Sequence, residues 1–141
     1  MRKTLQAAKA ILTLVLVLFC ALFVLCLSCS PVFDMGESYE VYYGQSSSSL
    51  MKSTENPLLE KLTGKVAGES VRYEGDQYEA LKAKFGATLL FTEEACGVTN
   101  YYLYSPVLGG GVALGGYTVN LHIAVSAEQT AAGTPLIFGG F

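Results

Sequence analysis

"YTVNLHIAVS", Tyr117–Ser126, alternates without a break. Tyr117, Val119, Leu121, Ile123 and Val125 fall on one side, and Thr118, Asn120, His122, Ala124 and Ser126 on the other. Successive side chains of a strand point to opposite faces, so this is the pattern of a strand with one face in a core. Upstream lies "YYLYS", 101–105, which Pro106 ends. Tyr101, Leu103 and Ser105 there point one way and Tyr102 and Tyr104 the other. "ATLLFTEE", 87–94, alternates as well, and "ACGVTN", 95–100, reads as a turn. "LGGGVALGG", 108–116, is a Gly-rich connection, "AEQTAAGT", 127–134, a loop, and "PLIFGGF", 135–141, a final strand with Phe141 tucked in. Short turns between these late strands imply antiparallel pairing.

The earlier chain supplies two more strands, "SYEVYYG" (38–44) and "GESVRYEG" (68–75), rich in Tyr and Val and ended by Gly. Between them "QSSSSLMKSTE", 45–55, reads as a flexible Ser-rich loop. Asn56-Pro57 then opens a short helix: Asn accepts from free backbone N–H groups, and Pro at the first position loses no hydrogen bond. Leu58, Leu59 and Leu62 form its apolar side and Gly64 ends it. A second helix lies in "GDQYEALKAKFGA", 75–87, with Asp76 and Glu79 as a capping box. Tyr78, Leu81 and Phe85 line one face, Gly86 is the stop, and Lys82 and Lys84 form a solvated face. The class is α+β: a mainly antiparallel sheet with two helices packed on one face, preceded by one N-terminal apolar helix.

That first helix is set apart by composition. The first 33 residues hold no Asp or Glu, and Ala10–Ser28 carries no charge. Nineteen such residues approach the ~20 that cross a bilayer. Three fates fit: a cleaved signal peptide, a retained anchor with basic Arg2, Lys3 and Lys9 in the cytoplasm, or lipidation of Cys29 after cleavage in "CLSC". Each leaves residues 31–141 as an extracytoplasmic domain after a 1–30 leader, at the cell membrane or secreted. Residues 30–141 hold six Lys/Arg and twelve Asp/Glu, a net charge of −6. Such a domain repels nucleic acid and anionic lipid, so membrane contact belongs to residues 10–28.

Chemistry-bearing residues are sparse. Cys96 and the single His122 form the one thiol–imidazole pair, the basis of an alternative reading as a small envelope hydrolase with Glu93 or Glu94 orienting the ring. Glu93 and Glu94 as paired acids for sugar cleavage would point to opposite faces of one strand. The four cysteines form no disulfide framework, and a Cys29–Cys96 bridge is open only if Cys29 stays unmodified. No metal-ligand spacing, cofactor motif or phosphate loop occurs. A sheet face carrying Tyr102, Tyr104, Asn120 and His122 is amphipathic and low in side-chain entropy, which suits binding an unidentified envelope protein. The chain is read as a non-catalytic, membrane-tethered or secreted binding domain rather than an enzyme.

In order, "YYLYSP", "VNLHIAV" and "GTPLIFGGF" resemble the C-terminal part of the YwmB-like proteins of spore-forming Gram-positive bacteria. The resemblance covers about the last 70 residues. It implies a secreted or membrane-anchored protein with a TATA-box-binding-like α+β fold, tied to cell-envelope and sporulation genes. The family offers no catalytic residues to carry over. This chain is short for it, which implies that one of two half-domains is missing or reduced.

Overall fold

The computed structural model describes residues 2–34, 36–46 and 48–139. Phe141, expected to be tucked in, lies outside the described residues. The chain divides into two compact units, 1–30 and 31–141. The first holds helix α1, Arg2–Ser28. Its Thr4–Ser28 stretch, with a mean hydropathy of 3.2, is long and apolar enough to cross a membrane; a signal sequence meets the same description.

The second unit is built from strands β1 (Ser38–Tyr42), β2 (Met51–Ser53), β3 (Gly68–Glu74), β4 (Thr88–Ala95), β5 (Val98–Tyr104), β6 (Val112–Leu114), β7 (Tyr117–Val119), β8 (Leu121–Val125) and β9 (Gln129–Thr134). Helix α2 (Pro57–Thr63) precedes β3, and α3 (Tyr78–Lys84) follows it. Seven strands form one antiparallel sheet in the order β2-β1-β3-β9-β8-β5-β4, and β6 and β7 form a separate hairpin. The α+β class with an apolar N-terminal helix is thus observed.

One sheet face builds the core. Tyr39, Val41, Val71, Ala132, Ile123, Leu121 and Leu103 lie on it, buried with Phe33 and with Leu81 and Phe85 from α3. Phe33 meets Phe85 edge-on at 5.6 Å, and Tyr78 stacks on Tyr101 at 3.9 Å. The end of α3 follows the sequence closely. Gly86 N–H donates to Ala83 O and Ala87 N–H to Lys82 O, with Gly86 at φ 53. This double closure requires a left-handed residue, which glycine supplies without strain. The start of α3 differs from the expected capping box. Gln77 is the N-cap and gives no side-chain capping bond; Asp76 Oδ1 instead accepts from Tyr78 N–H at 2.9 Å, a local turn two residues on.

Helix α2 begins as expected, with Asn56 Oδ1 accepting from Leu59 N–H at 3.2 Å. Its faces are reversed. Leu58, Leu59 and Leu62 are exposed. Glu60 and Lys61 turn inward: Glu60 accepts from Tyr43 Oη and Lys52 Nζ, and Lys61 pairs with Glu69 at 2.6 Å. Helical spacing located the leucine stripe correctly but not the side on which the sheet lies.

Three further expectations are corrected. The 45–55 segment is not wholly loop, because Met51–Ser53 pairs with β1 as an edge strand. "QTAAGT" is not loop but β9, hydrogen-bonded to β3 and β8. "PLIFGG" is not a strand. After the cis Thr134–Pro135 bond, residues 135–139 lie back over the sheet face opposite the core. There Phe138 meets Tyr42 edge-on at 5.6 Å, and a Cβ on Gly133 would stand 2.8 Å from Ile137 Cγ1. The small residues of β9 are therefore the seat of this apolar segment. Gly133→Ala is expected to lower stability by about 1–3 kcal/mol, because the contacts it meets include the Ile137 and Leu136 backbone. Urea unfolding of the full chain in detergent micelles checks this; an unchanged midpoint would show the segment to be loosely held.

Candidate functional site

The proposed binding face separates into members that meet and one that does not. Pairing sets Phe91 opposite Tyr102 and Tyr102 opposite His122, across β4, β5 and β8. Their rings stack: Phe91–Tyr102 at 4.5 Å and Tyr102–His122 at 4.6 Å, with planes 19° and 13° apart. Tyr117, from the β6–β7 hairpin, extends the row at 5.9 Å from Phe91. A register shift between Leu89 and Phe91 sets Phe91 against Tyr102. Tyr104 stands on the same face at the end of β5, opposite Thr88, and is exposed, as is Tyr117. Phe91 and Tyr117 were not among the expected site residues. The alternation of "ATLLFTEE" put Phe91 on a strand, but the shift and the hairpin's fold-back leave no mark in the sequence.

Tyr102 Oη donates to Glu93 Oε2 at 3.0 Å. Partial burial, with that carboxylate beside it, pushes the phenol up to about 12. His122 is buried. Ile137 N–H donates to Nδ1 at 3.3 Å, so the ring proton sits on Nε2, which donates to Asn100 Oδ1 at 3.0 Å. Burial holds its pKa down to about 4, so the imidazole is neutral at pH 7. His122 is the inner end of the ring row rather than an exposed contact.

Asn120 leaves the site altogether. The strand expected over 117–126 bends there, ending β7 and starting β8. Its side chain is fully buried: Oδ1 accepts from Ser105 N–H at 2.7 Å, and Nδ2 donates to Ser105 O at 2.8 Å and Leu108 O at 2.9 Å. Every hydrogen-bonding atom of the amide serves the backbone.

Cys96 and His122 are not brought together. Cys96 lies exposed in the β4–β5 turn at φ 52, beyond the Ala95–Val98 pair. Val98 is four positions from Tyr102, His122's partner, which at a strand's rise amounts to about 14 Å. An imidazole that far away, with both ring nitrogens engaged, cannot take the thiol's proton. Cys29, in the first unit, and Cys96, in the second, are both free thiols. Among the described residues, no group of three His, Cys, Asp or Glu side chains is placed to hold a metal.

Elsewhere a cleft of about 230 Å³ is lined by Lys61, Glu69, Pro135 and Gly109–Gly111. Glu69 is paired with Lys61 and accepts from the Tyr39 hydroxyl. Burial and this carboxylate push the Tyr39 phenol upward, so it remains a donor. No family model, curated protein or solved structure matches the chain, so the YwmB-like resemblance rests on its three quoted motifs alone.

Proposed function

We propose that this is a non-catalytic domain, held at the extracytoplasmic face of the cell membrane by α1, that binds an envelope protein through the Tyr117–Phe91–Tyr102 ring row and neighbouring Tyr104. The observation that carries this reading is the row itself. Stacking against a sheet fixes the rings, while Tyr104 and Tyr117 stay open to solvent. Rigid, amphipathic side chains lose little entropy when a partner covers them. The −6 charge of residues 30–141 disfavours nucleic acid as that partner. Sporulation or envelope assembly as the setting comes only from the motif resemblance.

The test is crosslinking in the native cell with an affinity tag in the 46–49 segment. Tyr104→Ser with Tyr117→Ser is expected to lower recovery of the main crosslinked envelope protein about tenfold or more, as loss of central interface tyrosines does. Both residues are exposed, so the unfolding midpoint should hardly move. Undiminished recovery with both tyrosines gone would remove the ring row as the binding surface.

A further inference from the structure

Helix α2 is amphipathic and faces the wrong way for a soluble domain. Leu58 is 36 %, Leu59 52 % and Leu62 46 % exposed. The Glu60 and Lys61 side chains, by contrast, are only 13 % and 15 % exposed. At 100° per residue the three leucines fall within one stripe of the seven-residue helix. Turning that stripe outward is held in place by four polar contacts: Tyr43 and Lys52 to Glu60, Lys61 to Glu69, and the Asn56 cap. A grouped apolar surface fixed this firmly marks a contact with an apolar phase.

We propose that Leu58, Leu59 and Leu62 dip into the lipid bilayer that α1 crosses, so that α2 rests on the membrane as an interfacial helix. The proposal depends on the anchoring role of α1 given above. Two features favour lipid over protein. Nine residues, 29–37, join α1 to β1, and a chain of that length reaches no more than about 35 Å. A surface tethered so closely meets the bilayer at high effective concentration, so a few leucines suffice. Three leucines are also far short of the ~800 Å² per partner that a free protein interface requires. The net charge of −6 on residues 30–141, which repels anionic lipid, restricts this second membrane contact to zwitterionic lipid, with insertion insensitive to salt.

The chain contains no tryptophan, so a single introduced one reports its own surroundings. The full chain carrying Leu59→Trp is reconstituted in phosphatidylcholine vesicles, with and without brominated acyl chains; Val107→Trp, at a residue 70 % exposed, is the control. Leu59→Trp should emit to the blue of the control and lose most of its intensity to brominated lipid. Adding Leu58→Asn and Leu62→Asn should restore that intensity. Vesicles that float with the protein while Leu59→Trp stays unquenched would overturn lipid contact and leave the anchor standing. A blue shift without lipid quenching would overturn it in favour of a protein cover. Equal quenching of the control would overturn a specific role for α2. Failure to float would remove the anchor, and this proposal with it.

Discussion

Asn120→Ala is expected to destabilise the domain by about 3–5 kcal/mol, a fall in Tm of roughly 15–25 °C. The substitution strips partners from three backbone groups at once: Ser105 N–H, Ser105 C=O and Leu108 C=O. Asn120 and Ser105 are both fully buried, so water cannot replace the amide at the Ser105 N–H and C=O. Each stranded buried group costs about 1–3 kcal/mol, and a small cavity adds to that. Asn120→Asp should do no better, because it keeps the acceptor, loses both donors and buries a charge. Thermal unfolding of the full chain in detergent micelles measures the effect. A loss below about 1 kcal/mol would show that the amide is not holding the bend between β7 and β8. A surface role for Asn120 would predict the reverse pattern, with stability kept and partner recovery lost.

The second large effect is with pH. The ordinary pKa of His122, 6.5, falls to about 4 in the fold, because burial disfavours the charged ring. Between those values the unfolded chain binds a proton that the folded chain refuses. Stability is therefore complete above about pH 6.5 and declines as pH falls toward 4, by about 3 kcal/mol in total. The strained contact is specific, since protonated Nδ1 can no longer accept from Ile137 N–H. The groups that face the ring are Asn100, which accepts from Nε2, and Tyr102, which stacks on it and donates to Glu93. Unfolding free energies from urea titrations at pH 7.5 and 4.5 should differ by about 2–3 kcal/mol more in the wild type than in His122→Gln. Parallel pH curves for the two proteins would show that the ring stays neutral for free, or titrates normally.

Where the sequence was legible, local rules and tertiary packing agreed. The alternation of "YYLYS" placed Leu103 in the core and Tyr102 and Tyr104 on the opposite face, and Gly86 closed α3. The failures share one cause, which is that amphipathic patterns show a stripe but not what lies against it. The leucines of α2 read as core and face outward. "TAAG" in β9 read as loop because its side chains are too small to signal burial; its neighbours and residues 135–139 provide the cover. "PLIF" read as a strand because it is apolar, yet it provides that cover. Asn120 looked like one more polar position in a straight strand. Only the bend, set by three hydrogen bonds to residues 105 and 108, shows that its amide is spent on the fold. Of the side chains on the sheet face opposite the core, the alternation placed Tyr102, Tyr104 and His122 there, but it did not bring Phe91 and Tyr117 beside them.

The place of β9 in the sheet has a consequence for how the chain is made. One half of the sheet, β2-β1-β3, comes from residues before 75, and the other, β8-β5-β4, from residues after 87; β9 hydrogen-bonds to both. During synthesis the two halves can form as separate hairpin groups, but the strand that joins them is the last to emerge. Until it does, Val71 and Ile123 each lack their neighbour Ala132. The polypeptide thus stays open and pliable until Gln129–Thr134 has left the ribosome, then closes in one late, long-range step. A sheet whose central strand comes last in the chain delays its own closure to the end of synthesis.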